Sequence, residues 1–575
     1  MSSPSTPGPE DVAQALRDGT APSSLLADGP ADRGARPPTG SGLDDRPVEA
    51  GGLTVRTVGG SLLDARRTAL EQAREDGLAQ ALVGKDPTLW GPEATAEAGV
   101  RLGWLDAVAT GRALVPGVVA LREQLAAEGV DRVVLAGMGG SSLAPEVVCA
   151  AAGVPLVVLD TTDPGQVAAA LTELERTVVV CSSKSGGTVE TDSHRRAARA
   201  AFSAAGLDPA QRIVVVTDPG SPLQAAAEQE GVRAVFLADP DVGGRYAALT
   251  AFGLVPSALA GADVAALLDQ AAALEPSLAD PDGPALALGA VIGGAAVDGR
   301  DKLVLAGASS AGLADWVEQL VAESTGKQGR GVLPVVVEGP QAPGTEPAGD
   351  LHLVLLDAAP ETVGTGVQGP LGAQFLGWEY AVAVAGRVLG VNPFDQPDVQ
   401  EAKDATARVL ADAPAPSAPL FTAGAVEVRA TGDLLAEVDD LVAALDALLH
   451  AVPDRGYLAV MAYLDRSRDA AAHELRAALA ARLAHPVTFG WAPRLLHSTG
   501  QLHKGGPQVG AFLQITGAVE RDLDVPGRPY TFGRLQAAQA EGDLQALAAR
   551  ERPVLRLHLT DRAAGLGQIL EAARR

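Results

Sequence analysis

The sequence predicts an α/β protein with two doubly wound, mainly parallel-sheet domains behind a disordered N-terminal segment. Three observations predict it. Five apolar runs, at 132–136, 155–160, 177–181, 212–217 and 233–237, recur between Ala/Leu-rich helical stretches. None of them alternates polar with apolar residues, which marks strands of a parallel sheet covered on both faces. A second alternation follows, with apolar runs at 302–306, 333–337, 351–356, 457–462, 487–490, 512–516 and 554–559 and helical patterns at 373–389, 399–411 and 434–449. Third, two strand ends run directly into loops of glycine and hydroxyl residues, the usual place for a ligand in an open α/β sheet.

In chain order, residues 1–50 are rich in Pro, Gly, Ser, Asp and Arg and hold almost no aliphatic clusters, so they read as a disordered tail. Residues 51–125 carry a helical pattern (Leu62, Leu63, Ala69, Leu70, Leu78, Leu82, Val83), with Trp90 and Trp104 as packing anchors. The first α/β domain then covers 126–265, and the second covers 266–575 with a C-terminal extension. Two such domains bind ligand between them, at the carboxyl ends of their strands.

The net charge of −26 over 575 residues excludes a general nucleic-acid or anionic-membrane binder, which needs a basic face. Cys149 and Cys181 both sit in apolar runs, which points to a reducing compartment with neither disulfide nor zinc site. No apolar run approaches the length of a membrane span, and no basic-then-apolar leader opens the chain. A soluble, cytoplasmic protein is the expectation, with a small-molecule substrate and neither nucleic acid nor membrane as partner.

The loop Ser182-Ser-Lys-Ser-Gly-Gly-Thr188 joins an apolar strand to a helical pattern beginning near Val189. Backbone N–H groups at a helix N-terminus carry partial positive charge, and small residues let an anion approach them. Ser183, Ser185 and Thr188 add hydroxyl donors, so the loop reads as a phosphate cradle, with Lys184 in its middle. Its spacing fits neither a Walker A loop nor a dinucleotide glycine fingerprint, so the cargo is a small phosphorylated molecule. Gly137-Met-Gly-Gly-Ser-Ser142 ends the first strand, where Gly140 and Ser141 permit close backbone approach to a ligand; a tight turn explains that loop alone equally well, and the hydroxyl loop two strands later favours substrate binding.

Arg245 lies in a glycine turn, Asp241-Val-Gly-Gly-Arg-Tyr246, where a guanidinium suits a developing oxyanion. Glu323 ends the helical stripe of Trp316, Leu320 and Val321, just before Ser-Thr-Gly, as a candidate proton-transfer base. Lys403 follows a turn set by Pro393 and Pro397 and by itself reads as a solvated helix residue. His497 sits in Leu496-His-Ser-Thr-Gly-Gln-Leu-His-Lys504; its spacing to His503 matches no metal site, and a loop imidazole suits proton shuttling. His450 and His473 fall in helical stretches and read as structural or exposed.

Together these motifs resemble the glucose-6-phosphate isomerases, built from two sugar isomerase (SIS) domains, and look closest to the actinobacterial form, including those fused elsewhere to transaldolase. The family's Gly-x-Gly-Gly-Ser loop corresponds to Gly137–Ser141, and its Ser-Lys-x-x-x-Thr loop to Ser183, Lys184, Ser185 and Thr188. Its Gly-Gly-Arg motif corresponds to Gly243–Tyr246, with Ala247 in place of the usual Ser; Glu-Ser-x-Gly-Lys corresponds to Glu323–Lys327, and the Asn-x-Phe-Asp-Gln…Lys motif to Asn392–Lys403. The resemblance implies interconversion of glucose 6-phosphate and fructose 6-phosphate without metal or cofactor, and a homodimer or compact monomer. It assigns the phosphate to Ser183, Ser185 and Thr188, proton transfer to Glu323, anion stabilisation to Arg245, and sugar contacts to Gln396 and Lys403. The family's ring-opening His follows the Glu-Ser-x-Gly-Lys motif, but residues 328–350 hold no His and His352 is embedded in an apolar run, which leaves His497 for that role. Two alternatives accompany this reading: dual use of mannose 6-phosphate, kept open by Thr325, and a non-catalytic sugar-phosphate sensor.

Overall fold

Seventeen strands can be traced in a computed structural model that describes residues 45–307, 312–346, 348–397, 399–412 and 417–575, the side chains of 399–403, 405 and 412 excepted. The hairpin β1 (Val48–Ala50) and β2 (Leu53–Val58) comes first. Next are β3 (Arg132–Ala136), β4 (Val157–Leu159), β5 (Thr177–Ser182), β6 (Ile213–Thr217) and β7 (Ala234–Leu237). β8 (Lys302–Ala306), β9 (Leu333–Val337), β10 (Leu351–Leu356) and β11 (Gly364–Gln368) follow. The last six are β12 (Phe421–Ala423), β13 (Val426–Ala430), β14 (Tyr457–Tyr463), β15 (Val487–Trp491), β16 (Gly510–Gly517) and β17 (Val554–Leu559). Every apolar run expected as a strand is one.

The first sheet has the order β4-β3-β5-β6-β7, parallel throughout, as the expected doubly wound domain requires. Its strand order reverses between β3 and β5, so the Gly137–Ser141 and Ser183–Thr188 loops flank one crevice. The stretch expected as a single second domain, 266–575, carries two sheets instead. One runs β1-β2-β11-β10-β8-β9 and the other β12-β13-β17-β16-β14-β15. In each, four parallel strands keep the same relative order and an antiparallel pair extends one edge. Apolar runs of equal length look alike in sequence; only the pairing separates β8–β11 from β14–β17.

Residues 1–44 of the expected tail lie outside the described residues, but the expected boundary at 50 is corrected. Val48 to Val58 form the outer hairpin of the second sheet rather than the end of a tail and a helical segment. Leu53, Val55 and Thr57 are buried while their neighbours are not, the period of two of a half-covered strand. Gly51 and Gly52 both have positive φ, 55° and 84°, as a two-residue hairpin turn requires.

The units share cores. Val304, Val335 and Leu333 of the second sheet pack with Tyr457, Met461 and Phe512 of the third. Val134, Val179 and Val215 of the first sheet share a cluster with Val525 and Phe532 from the C-terminal region. Residues 45–575 accordingly form one compact unit. Contrary to the expectation that no run approaches a membrane span, Gly103–Ala127 is long and apolar enough to cross one by length and composition. Val118, Leu121 and Leu125 on it are nevertheless buried in the core. Cys149 and Cys181 are buried free thiols, and burial pushes both up to about 12.

Candidate functional site

The hydroxyl loop leaves β5 with Ser183, whose N–H donates to the Val216 carbonyl at 3.0 Å and so continues the β5–β6 ladder by one step. Its hydroxyl reaches across the loop to the Thr188 hydroxyl at 3.0 Å. Thr188 precedes helix Val189–Ala204 without using its side chain as a cap, which leaves the helix N-terminus facing the loop. Ser185 accepts from Gly187 N–H at 3.3 Å. Lys184, expected beside the ligand, is turned elsewhere: its ammonium meets the Asp218 carboxylate at 2.5 Å and the Pro240 carbonyl at 2.9 Å.

The glycine loop after β3 makes its close approach to protein. A Cβ on Gly140 would sit 1.9 Å from the Gly244 carbonyl oxygen. One on Gly139, where φ is +54°, would sit 2.7 Å from both the Gln319 amide nitrogen and the His497 carbonyl oxygen. The absence of side chains there lets the turn carrying Arg245, the helix carrying Gln319 and the segment carrying His497 converge on one loop. Ser141 closes the short 3-10 turn Gly139–Ser141 and is buried.

Arg245 follows in the turn Gly244–Tyr246, anchored by the buried Tyr246 ring, which lies 5.4 Å from Trp104 and 5.3 Å from Phe394 between centroids. Arg245 is 4% exposed and Glu323 7%, and they form an ion pair at 3.1 Å. The remaining guanidinium hydrogens go to the Ser324 hydroxyl (2.9 Å), the Pro393 carbonyl (2.7 Å), the Asp395 carbonyl (2.9 Å) and the Gln396 side-chain oxygen (3.2 Å). Lys327 ties the same segment from the other side, donating to the Asn392 and Asp395 carbonyls at 2.7 Å and to the Asp395 carboxylate at 2.6 Å. Burial, aided by the nearby Arg245 charge, lowers the Lys327 ammonium to about 8. Lys403 belongs to helix Val399–Asp412, and its side chain lies outside the described ones.

His497 ends the turn Arg494–His497, and its Nε2 meets Glu190 Oε1 at 3.0 Å. Glu190 lies in the first turn of helix Val189–Ala204, fully buried, and takes a second hydrogen bond from Gln539 Nε2 at 2.7 Å. The Gln539 oxygen accepts from the Thr162 hydroxyl at 2.7 Å, which fixes the amide with its NH₂ toward Glu190. Burial by itself would raise the Glu190 carboxyl; the facing His497 ring outweighs it and holds the group below the usual carboxylate range. Gln319 completes the link, donating to Glu323 Oε2 at 3.2 Å and to the His497 carbonyl at 2.7 Å. Ser185, Thr188, Glu190, His497 and Gln539 line one cavity of about 210 Å³, walled on another side by Thr406 and Leu410.

Of the residues expected at the site, the fold pairs Arg245 with Glu323 and Gln396 and sets Ser185, Thr188 and His497 around one cavity, while Lys184 and Gly140 face protein instead; four neighbours of these groups were not expected. Gln319 was legible as the position one helical turn before Glu323. Glu190, two residues after Thr188, had a local signal too: a carboxylate at a helix N-terminus. Gln539 and Thr162 had none, because only tertiary contact relates them to the site. Thr325, on which the dual-specificity alternative rested, has its hydroxyl engaged: it donates to the Val321 carbonyl at 2.8 Å and accepts from Val332 N–H at 2.9 Å.

Residues 123–328 match the family model described as phosphoglucose isomerase. Among curated proteins, the chain is similar to the glucose-6-phosphate isomerase of Thermosynechococcus vestitus, 38% identical over 208 residues, covering 33% of this chain and 39% of the relative. That of Nostoc sp. is 37% identical over 207 residues, with the same 33% and 39% coverage. The chain thus spans about two fifths of the length of these relatives. Among solved structures, a hypothetical protein from Thermus thermophilus aligns with a TM-score of 0.53 and 27% identity, over 61% of this chain and 98% of that one. A glucose-6-phosphate isomerase from Chlamydia trachomatis shares the fold, with a TM-score of 0.51 and 19% identity over 64% and 90% of the two chains. The match to the family model is confined to residues 123–328. Ser183, Arg245 and Glu323 fall inside that segment; His497, Lys403 and Gln539 fall outside it.

Proposed function

We propose that this chain interconverts the aldose and ketose forms of a hexose 6-phosphate, glucose 6-phosphate and fructose 6-phosphate being the substrate pair. The observation that carries the reading is the buried Arg245–Glu323 pair at 3.1 Å, linked through Gln319 to a cavity lined by the Ser185/Thr188 loop and His497. The curated relatives' names support the substrate class.

In this reading the phosphate binds Ser183, Ser185 and Thr188 at the N-terminus of helix Val189–Ala204, where anion binding is favoured without a dedicated cation. His497, held by Glu190, transfers the proton that opens the pyranose or furanose ring. Glu323 then takes the proton from the carbon next to the carbonyl and returns it to the neighbouring carbon. The intermediate enediolate carries negative charge on oxygen, which a fixed guanidinium such as Arg245 stabilises in a water-poor site. The same reading assigns sugar contacts to Gln396 and Lys403.

The test is to supply purified full-length chain with fructose 6-phosphate and to follow glucose 6-phosphate through a coupled dehydrogenase, with a parallel run in deuterated water. Product formation with deuterium at the transferred position is expected. Absence of conversion in both directions sinks the reading. A conversion that proceeds equally well in Glu323→Gln removes Glu323 from it.

A further inference from the structure

We infer that a second cavity, behind the helix that carries Glu323, binds a small primary ammonium compound. The cavity measures about 360 Å³ and lies where helix Leu143–Ala152, helix Leu313–Thr325 and the segment from β15 to Ser498 meet. Each of these belongs to a different one of the three sheet units, and ligand sites favour such junctions. The volume suits a compound of a few carbons.

The charges decide the ligand's sign. Arg494 binds Glu146 at 2.7 Å and Asp160 at 3.2 Å, and Arg466 binds Glu146 at 3.0 Å and approaches Asp160 at 3.9 Å. Those two cations and two anions neutralise one another. Asp315 and Glu318, one helical turn apart on the same helix, form no ion pair among the described residues; the Arg494 charge reaches both, yet burial and the neighbouring Asp315 raise the Glu318 carboxyl well above the usual carboxylate range. Asp315 stands exposed at the mouth, with His473 near it. Glu318 lies within, only 8% exposed, and makes no hydrogen bond or ion pair among the described residues. A carboxyl group this buried, facing only the cavity, is costly to ionise, and that cost falls when a donor or cation reaches it.

Two further features select an organic cation. Phe489 and Trp491 line the cavity with ring centroids 5.0 Å apart, edge to face, which offers a π surface to an ammonium group. Among the described residues no group of three or more His, Cys, Asp or Glu is placed to hold a metal ion. The occupant would touch the helix of Gln319 and Glu323 on one side and the turn of His497 on the other. Its binding does not depend on the isomerase reading.

The experiment titrates the full chain with n-butylammonium chloride and, at matched ionic strength, with n-butanol, following tryptophan fluorescence and the thermal midpoint. A saturable fluorescence change and a raised midpoint are expected with the amine and not with the alcohol, and the fluorescence change disappears in Trp491→Phe. Glu318→Gln, a near-isosteric change, is expected to weaken binding by about tenfold or more, the size of a lost charge-assisted hydrogen bond. Asp315→Asn, at the exposed mouth where folding is not at stake, weakens it less. Equal responses to amine and alcohol, a response that persists in Trp491→Phe, or unchanged affinity in both carboxylate variants overturns the proposal.

Discussion

The Arg245 guanidinium and the Glu323 carboxylate meet at 3.1 Å in a site where neither is more than 7% exposed. In the proposed reaction the base is thus positioned by the group that is to stabilise the charge it creates. Two substitutions separate these roles. Glu323→Gln keeps shape and hydrogen bonding to Gln319 while removing the base, so kcat is expected to fall by about a hundredfold or more at nearly unchanged stability. Arg245→Ala also strands Glu323 and frees the Pro393 and Asp395 carbonyls, so it is expected to cost about 3–5 kcal/mol of stability as well. Steady-state assays and denaturant melts on both variants check the contrast; equal stability losses would contradict it.

Ring opening and proton transfer are assigned to different groups, His497 and Glu323, and the assignment can be tested by removing the ring. A tetrose 4-phosphate cannot cyclise, because its O4 carries the phosphate. His497→Ala is expected to slow hexose 6-phosphate turnover by about a hundredfold while leaving isomerisation of the tetrose within a few fold. Glu190→Gln, which takes away the charge facing His497 Nε2, shifts the two rates in the same sense by less. A matching loss on both sugars would assign His497 to the proton transfer instead.

Much of this site could be read from local sequence, and the reason is physical. A strand that ends in small hydroxyl residues, or a carboxylate at the end of an apolar helical stripe, declares itself within a few residues, as Ser183–Thr188 and Glu323 do. The expected strands of the first sheet appeared in order, because uninterrupted apolar runs such as 177–181 can hardly be anything but strands covered on both faces. Partnership between distant segments left no such mark. Gln539 reaches Glu190 from 349 positions away, and nothing near either residue signals it. The division of 266–575 into two sheets was hidden for the same reason. The hairpin Val48–Val58 is different: its Gly51-Gly52 turn and alternating Leu53, Val55 and Thr57 were local signals, outweighed by the composition of the tail before them.

The packing of the two glycine loops gives a prediction that needs no ligand. A methyl group on Gly140 would sit 1.9 Å from the Gly244 carbonyl oxygen, and the obstacle is backbone, which does not yield as a side chain does. Gly140→Ala is expected to cost about 1–3 kcal/mol and to lower kcat by displacing the Arg245 turn. Gly244→Ala is the control, because a Cβ there meets nothing within 4 Å. Its stability is expected to stay within about 0.5 kcal/mol of wild type. Thermal melts that rank the two variants in the opposite order would refute the packing argument.

Lys327 offers a pH signature for the segment that wraps Arg245. Burial, with the Arg245 charge nearby, lowers its ammonium to about 8, against about 10.4 in an unfolded chain. Between those values the unfolded chain keeps a proton that the folded chain has released, so the stability contributed at this position rises with pH across that window. Below pH 8 both states are protonated and the contribution is pH-independent and at its lowest, since the buried charge is carried in full. Lys327→Arg places a charge there that does not titrate in this range. The variant is expected to be less stable than wild type at pH 7, because the larger guanidinium must enter a site where Lys327 is only 1% exposed. The gap is then expected to widen as pH rises from 8 toward 10.4, as wild type alone sheds its buried charge. Thermal midpoints of both proteins, measured at half-unit steps through this range, give the difference directly. A gap that stays flat or narrows would mean that Lys327 keeps its proton throughout, with the Asp395 carboxylate at 2.6 Å outweighing burial.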